Sequence, residues 1–253
     1  MRYNVLRLNK YFAVISIAIF SGLVLFFFGI FSRSVFTYSV AKKLPIYSVD
    51  TQEKKVALGI NCAWGNDDIS QLLTLLDKNG VSASFFVTGT FCKRYPDSVK
   101  AIAKHGHEVQ SHSNTHTDLT SLGRNEILEQ IQKCNEKIEA VTGKAPILFR
   151  PPSGAYNDLV IELIEQEGMY PVQWDCDSLD YRDISVDDMY ARIMKNLQPG
   201  SITLFHSGSV NISEALPIII QRVEAEGYQW VMVSELIYKR PYTLDHKGRQ
   251  SPA

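Results

Sequence analysis

The chain has 253 residues, 45% of them hydrophobic and 21% charged, with a formal net charge of -1. This suits one globular domain of moderate size plus an extra segment, and the near-zero charge excludes a broad basic surface for nucleic acid. Four cysteines, Cys62, Cys92, Cys134 and Cys176, show no CxxC spacing, which excludes a structural zinc finger; pairing, ligation or a free thiol stays open for Cys62 and Cys176, and Cys134 reads as a small core residue.

The extra segment comes first. Residues 11–31 carry no charge and would make a helix about 31 Å long, enough to span a bilayer core. Arg2, Arg7 and Lys10 precede the run, and no acid does. The positive-inside rule then predicts a cytoplasmic stretch at 1–10, one transmembrane helix at 11–31 and an extracytoplasmic remainder. A secreted product after signal cleavage is the alternative. Residues 32–53 are polar and mixed and read as a juxtamembrane linker.

From there strands and helices alternate. Strands are predicted at 55–60, 81–87, 107–111, 147–149, 170–174, 201–205 and 229–233. Helices are predicted at 67–78, 96–104, 125–141, 157–167, 186–197 and 214–226, with a short last one from Ser234. Asn79-Gly80 and Gly143 are helix stops, and Ser185 is an N-cap. Residues 239–253 read as a loose polar tail. Such alternation implies a parallel sheet or barrel wrapped by helices. About seven βα units fit into 54–238, short of the roughly 250 residues of a full eight-fold barrel. The fold expected is therefore α/β, a distorted or incomplete (β/α) barrel, with chemistry at the carboxyl ends of its strands.

Polar clusters fall at those ends: residues 61–68, 112–116, 150–156, 175–180 and 206–207. His112 and His116 are two imidazoles within reach of one cation. Arg150 is a fixed fork of donors, followed by the stiff Pro151-Pro152 loop. Tyr156 is placed to cap the pocket or stack on a ring. His206 directly follows a strand and suits proton delivery to a leaving amine, if a carboxylate holds its tautomer. Asp183, Asp187 and Asp188 read as solvated loop or helix-start charges.

The ordered set His112-Ser113-Asn114-Thr115-His116, Arg150-Pro151-Pro152-Ser153-Gly154, Asp177-Ser178-Leu179-Asp180 and Leu204-Phe205-His206-Ser207 resembles the polysaccharide deacetylase family, the NodB homology domain or carbohydrate esterase 4 group. Leu44-Pro45-Ile46-Tyr47, Ala63-Trp64-Gly65-Asn66-Asp67 and Val233-Ser234-Glu235-Leu236 are most similar to its sporulation-type PdaB branch. The resemblance covers about 44–238. It implies a deformed barrel of the NodB type, a divalent metal, most simply zinc, held by His112 and His116, and removal of N-acetyl groups from peptidoglycan or a related cell-wall glycan. It also implies that Asp180 orients His206, with Tyr181 where the family usually has Trp, and that Trp64, Tyr156, Tyr181 and Pro152 face substrate. The departure lies at the first strand end. The family commonly has an Asp base followed by an Asp ligand, and Asn61 and Cys62 stand there. An amide cannot take a proton from water at neutral pH. Cys62, Asp67 or Asp68 is then the candidate third ligand, Asp67 or Asp68 a candidate substitute base, and Asp68 more simply a charge on the next helix N-terminus. The alternative to an active deacetylase is a weak or inactive glycan-binding relative.

Overall fold

The structure is a computed structural model describing residues 12, 14–15, 17–24, 42–182 and 184–253. The chain divides into two units, Met1–Ala41 and Lys42–Ala253. In the first, the described residues are helical and their side chains exposed. Among the described residues no helix is long and apolar enough to cross a membrane. The expected span at 11–31 is described only in part, at 12, 14–15 and 17–24.

The second unit is built on strands β1 (Ser48–Val49), β2 (Lys55–Ala57), β3 (Gly59–Cys62), β4 (Ser84–Val87), β5 (Glu108–Ser111), β6 (Leu148–Phe149), β7 (Tyr170–Pro171), β8 (Cys176–Asp177), β9 (Thr203–His206), β10 (Gln229–Val231), β11 (Tyr242–Leu244) and β12 (Arg249–Pro252). Its helices are α1 (Ile69–Asn79), α2 (Gly89–Arg94), α3 (Pro96–Lys104), α4 (Arg124–Thr142), α5 (Asp158–Gln166), α6 (Val186–Asn196), α7 (Ile212–Ala225) and α8 (Val233–Leu236). Seven strands form one parallel sheet in the order β7-β6-β5-β4-β3-β9-β8, curled into a half-barrel. β2 pairs with β10 in a separate two-stranded sheet and bridges to Ile202 through Ala57.

Side-chain alternation along these strands separates two interiors. Val56, Leu58, Ile60, Phe85, Val87 and Val109 face outward. There they pack with Leu72 and Leu76 of α1, Ile102 of α3 and Ile219 of α7. Ala57, Phe86, Leu148 and Val172 face inward with Ile46, Ile202 and Val231. Each fully buried aliphatic or Phe contributes about 1.5–3 kcal/mol. The inner face also holds polar groups. Glu108 accepts from Ser84 Oγ and from the Ser234 amide, and Ser84 Oγ accepts from the Val233 amide at 2.7 Å. Gln110 Oε1 accepts the amides of Ile147 and Leu148 at 2.9 and 2.8 Å. These bonds close gaps the backbone pairing leaves.

Helix signals match closely. Ser185 caps α6 by accepting from Asp188 N at 3.1 Å, and α1 and α4 end at Gly80 and Gly143. Two boundaries are corrected. The expected linker already belongs to the domain from Ile46, which is buried and bridges to Val172, and β1 follows it. The expected loose tail carries β11 and β12. β12 pairs with β1 and β11, and Gln250 is buried with its amide bonded to Tyr238 N and O. Both segments are polar, and their strands are held by pairing across the whole chain rather than by local apolar periodicity. Helix α2 and strand β8 are too short for the periodicity to mark.

Candidate active site

β5 ends at Ser111, so His112 continues the inward alternation and its ring enters the barrel, 1% exposed. Its Nδ1 lies 2.7 Å from the Arg150 carbonyl oxygen. A carbonyl only accepts, so Nδ1 carries the proton and Nε2 is left as a lone pair. Nε2 is buried and has no partner. Burial, then the neighbouring His116, pushes the proton affinity of His112 well below the ordinary range. His116 is likewise depressed by burial. The two ring centres are 4.9 Å apart.

The loop returning His116 to His112 is strained, with Ser113 at φ 69° and His116 at φ 61°. Gln130 of α4 ties it down. Its Oε1 accepts from Ser113 Oγ, Thr115 N and Thr115 Oγ1, each at 3.0 Å. Further positive φ values at Ser153 (54°) and Leu179 (56°) lie in the other site loops.

Arg150 follows β6 and is fully buried. Nη1 donates to Asn61 Oδ1 at 3.0 Å and Nη2 to the Gln173 carbonyl at 3.2 Å, while Nε has no partner. The guanidinium lies 3.9 Å from the Phe86 ring centre. Burial pulls its pKa down to about 9. Gly59 makes room for it: a Cβ there would fall 2.7 Å from Nη2. Asn61 sits opposite His206 in the β3–β9 register, 4% exposed.

The fold brings His206 and Asp180 together. Asp180 is buried, and its Oδ1 accepts from His206 Nδ1 at 2.8 Å, its Oδ2 from His206 N at 2.6 Å. Tyr181 packs edge-on to His206 with ring centres 5.3 Å apart, and Trp64 lies 5.2 Å from His116. Both aromatics are otherwise exposed, at 49% and 61%. Tyr156 Oη accepts from Tyr47 Oη at 3.2 Å, with Lys42 above its ring. Pro152 is buried in a 3-10 turn rather than offered to solvent.

The candidate third ligands do not join the histidines. Adjacent strand residues face opposite ways, so Cys62 points outward into the helix-packed core, where burial pushes its thiol up to about 12. All four cysteines are free and buried. Asp67 is exposed. Among the described residues no cluster of three His, Cys, Asp or Glu side chains suits a metal ion. Two neutral imidazoles, one with an orphaned buried Nε2, nevertheless fit the nitrogen half of a divalent site. Asp68 does not cap α1 by its side chain. Its Oδ2 accepts from Gly208 N at 2.6 Å and pins the loop after β9, and burial raises its pKa. Asp175 is also structural, accepting from Ser201 Oγ and Ile202 N at 2.9 Å. Sequence reasoning missed Gly59, Gln130 and Gln173. Strand alternation was the available signal for Gly59, and none marked the other two.

Fold and site together define an α/β half-barrel with its chemistry-bearing residues at the carboxyl ends of the strands. The Polysaccharide deacetylase family model matches residues 48–172, and the chain belongs to that family of hydrolases acting on amide bonds of N-acetylated glycans. A peptidoglycan-N-acetylglucosamine deacetylase of Bacillus cereus is 32% identical over 196 residues, covering 76% of this chain and 92% of its own. The uncharacterized protein YlxY of Bacillus subtilis is 34% identical over 193 residues, 76% of this chain, and the match spans only 60% of YlxY. Among solved structures, a wild-type CE4 family pseudoenzyme from Bacillus anthracis superposes with a TM-score of 0.74 at 35% identity, over 76% of this chain and 68% of that one. A mutant of that pseudoenzyme, described as having restored enzymatic activity, superposes equally well, with a TM-score of 0.74 at 35% identity.

Proposed function

We propose that the domain acts on an N-acetylated cell-wall glycan, with the acid half of an amide hydrolase assembled and the base half disabled. One observation carries this. Asn61 Oδ1 accepts from Arg150 at the strand end where the family resemblance implies a carboxylate base. The relatives named as peptidoglycan deacetylases support the substrate class.

His112 and His116 would hold a divalent metal, zinc by their nitrogen donors. Bound there, it would polarise the acetamide carbonyl and lower the pKa of a water. The protein's own residues supply the rest. Trp64 and Tyr181 offer aromatic faces to sugar rings. Asp180 fixes the His206 ring with Nδ1–H inward, so a protonated Nε2 delivers its proton to the leaving nitrogen while Asp180 stabilises the imidazolium. No group at position 61 removes the proton from water. A second reading, glycan binding without turnover, is favoured by that same amide and by the likeness to a pseudoenzyme. We further propose that the domain works outside the cell membrane, tethered by residues 11–31 or released after signal cleavage.

The test is acetate release from peptidoglycan fragments and chitooligosaccharides, comparing wild type with Asn61→Asp at saturating zinc. A positioned base contributes about 10²- to 10⁴-fold. The variant is expected to gain at least about tenfold in kcat/KM, roughly 1.4 kcal/mol. A wild type already as fast as the variant would show that another group is the base.

A further inference from the structure

Arg150 is a buried cation whose polar partners are neutral. Its guanidinium donates to the Asn61 amide oxygen and the Gln173 carbonyl, and its Nε has no acceptor. Its guanidinium also lies over the rings of Phe86 and Trp174. Among the described residues no carboxylate pairs with it. Asp180 is buried too, but both of its oxygens are taken by His206. Asp68 turns one oxygen to Gly208. At the same time Arg150 is coupled to His112, because its own carbonyl accepts the His112 Nδ1–H at 2.7 Å. A buried positive charge and a candidate metal ligand are therefore linked through a single residue, whose side chain carries the charge and whose carbonyl holds the His112 ring. Buried charges are screened far less than surface ones, and like charges repel over several ångströms.

We propose that Arg150, left unneutralised because residue 61 is an amide, opposes cation binding at His112 and His116 and so sets how tightly this pocket holds a divalent metal. The inference rests on the reading of the two histidines as the metal pair. It makes the Asn61 position act twice: it removes the base, and it weakens the site that the base would serve. A carboxylate at 61 tightens metal binding by cancelling the Arg150 charge. An uncharged residue at 150 tightens it without adding a carboxylate, which separates charge compensation from ligation by a new carboxylate.

The experiment uses the full chain stripped of metal. Zinc affinity is measured by competition with a chromogenic chelator for wild type, Arg150→Met, Asn61→Asp and His112→Ala, with folding checked by circular dichroism. Arg150→Met and Asn61→Asp are each expected to lower the zinc Kd by at least about tenfold, and His112→Ala to abolish specific binding. A folded Arg150→Met that binds zinc no more tightly than wild type overturns the inference. Where Arg150→Met fails to fold, an unchanged Kd in Asn61→Asp overturns it. Zinc binding that survives in His112→Ala sinks the metal-pair reading itself. Loss in His112→Ala with unchanged affinity in the other two variants sinks only the role given to Arg150.

Discussion

Gly59→Ala is the sharpest structural test of the pocket floor. A Cβ at this position would lie 2.7 and 2.9 Å from Arg150 Nη2 and Nη1 and 2.8 Å from the Thr203 carbonyl oxygen. The carbonyl belongs to β9 and cannot withdraw without loosening its place in the sheet. The guanidinium is held on two acceptors and lies flat on Phe86. Forcing a methyl into a packed interior costs about 1–3 kcal/mol. Losing one hydrogen bond from a buried charged group costs about 1.5–3 kcal/mol more. The expected loss is about 3–5 kcal/mol, against a usual total of about 5–15 kcal/mol. In a domain of this size it corresponds to a fall in Tm of roughly 6–20 °C. Urea and thermal unfolding measure it, with Gly65→Ala as control, because a Cβ at 65 meets nothing nearer than Asp67 Oδ2 at 4.0 Å. The control should stay within about 0.5 kcal/mol of wild type. If Gly59→Ala does the same, Arg150 does not press against β3 and the account of the pocket floor is wrong.

Two further outcomes are expected. His107 accepts from Ala83 N through Nδ1, and burial lowers its pKa to about 4 from an ordinary 6.5. Between those values the unfolded chain binds a proton that the native state refuses, so stability is full above about pH 6.5 and falls towards pH 4. His112 and His116 are depressed in the same direction. Each such group adds up to about 1.4 kcal/mol per pH unit, and an unaltered pH slope in His107→Gln would refute its share. For the export proposal, protease added to intact cells should digest or release the domain. Protection that ends only on lysis would reverse the topology.

The chemistry-bearing motifs were legible because each lies in one short stretch directly after a strand. His112 and His116, Arg150, Asp180 and His206 therefore fall at the same end of the sheet once the strands are parallel and neighbouring. What local sequence hid was sidedness and distance. Cys62 is next to Asn61 in sequence, yet a strand sends the two to opposite faces, and that rule alone removes the thiol from the pocket. Asp67 and Asp68 sit in a turn, where no periodicity says which carboxylate points inward. β1 and β12 find each other only after the chain between them has folded, so polar ends such as Arg249–Pro252 gave no signal of order. Gln130 resembles any polar residue on the outer half of a helix until the loop it ties is seen.

The polar residues on the inner face have a consequence for which strand pairing the chain can adopt. Shifting β3 by one residue against β4 and β9 would turn Gly59 and Asn61 towards the helices and bring Ile60 and Cys62 against the guanidinium. Arg150 would lose its amide acceptor and meet side chains instead of a gap, and Asn61 would be buried among aliphatic groups without a partner. A purely apolar inner face would carry no such penalty, since one aliphatic column replaces another with modest repacking. The groups that make this barrel chemically able also leave it a single alignment of its central strand.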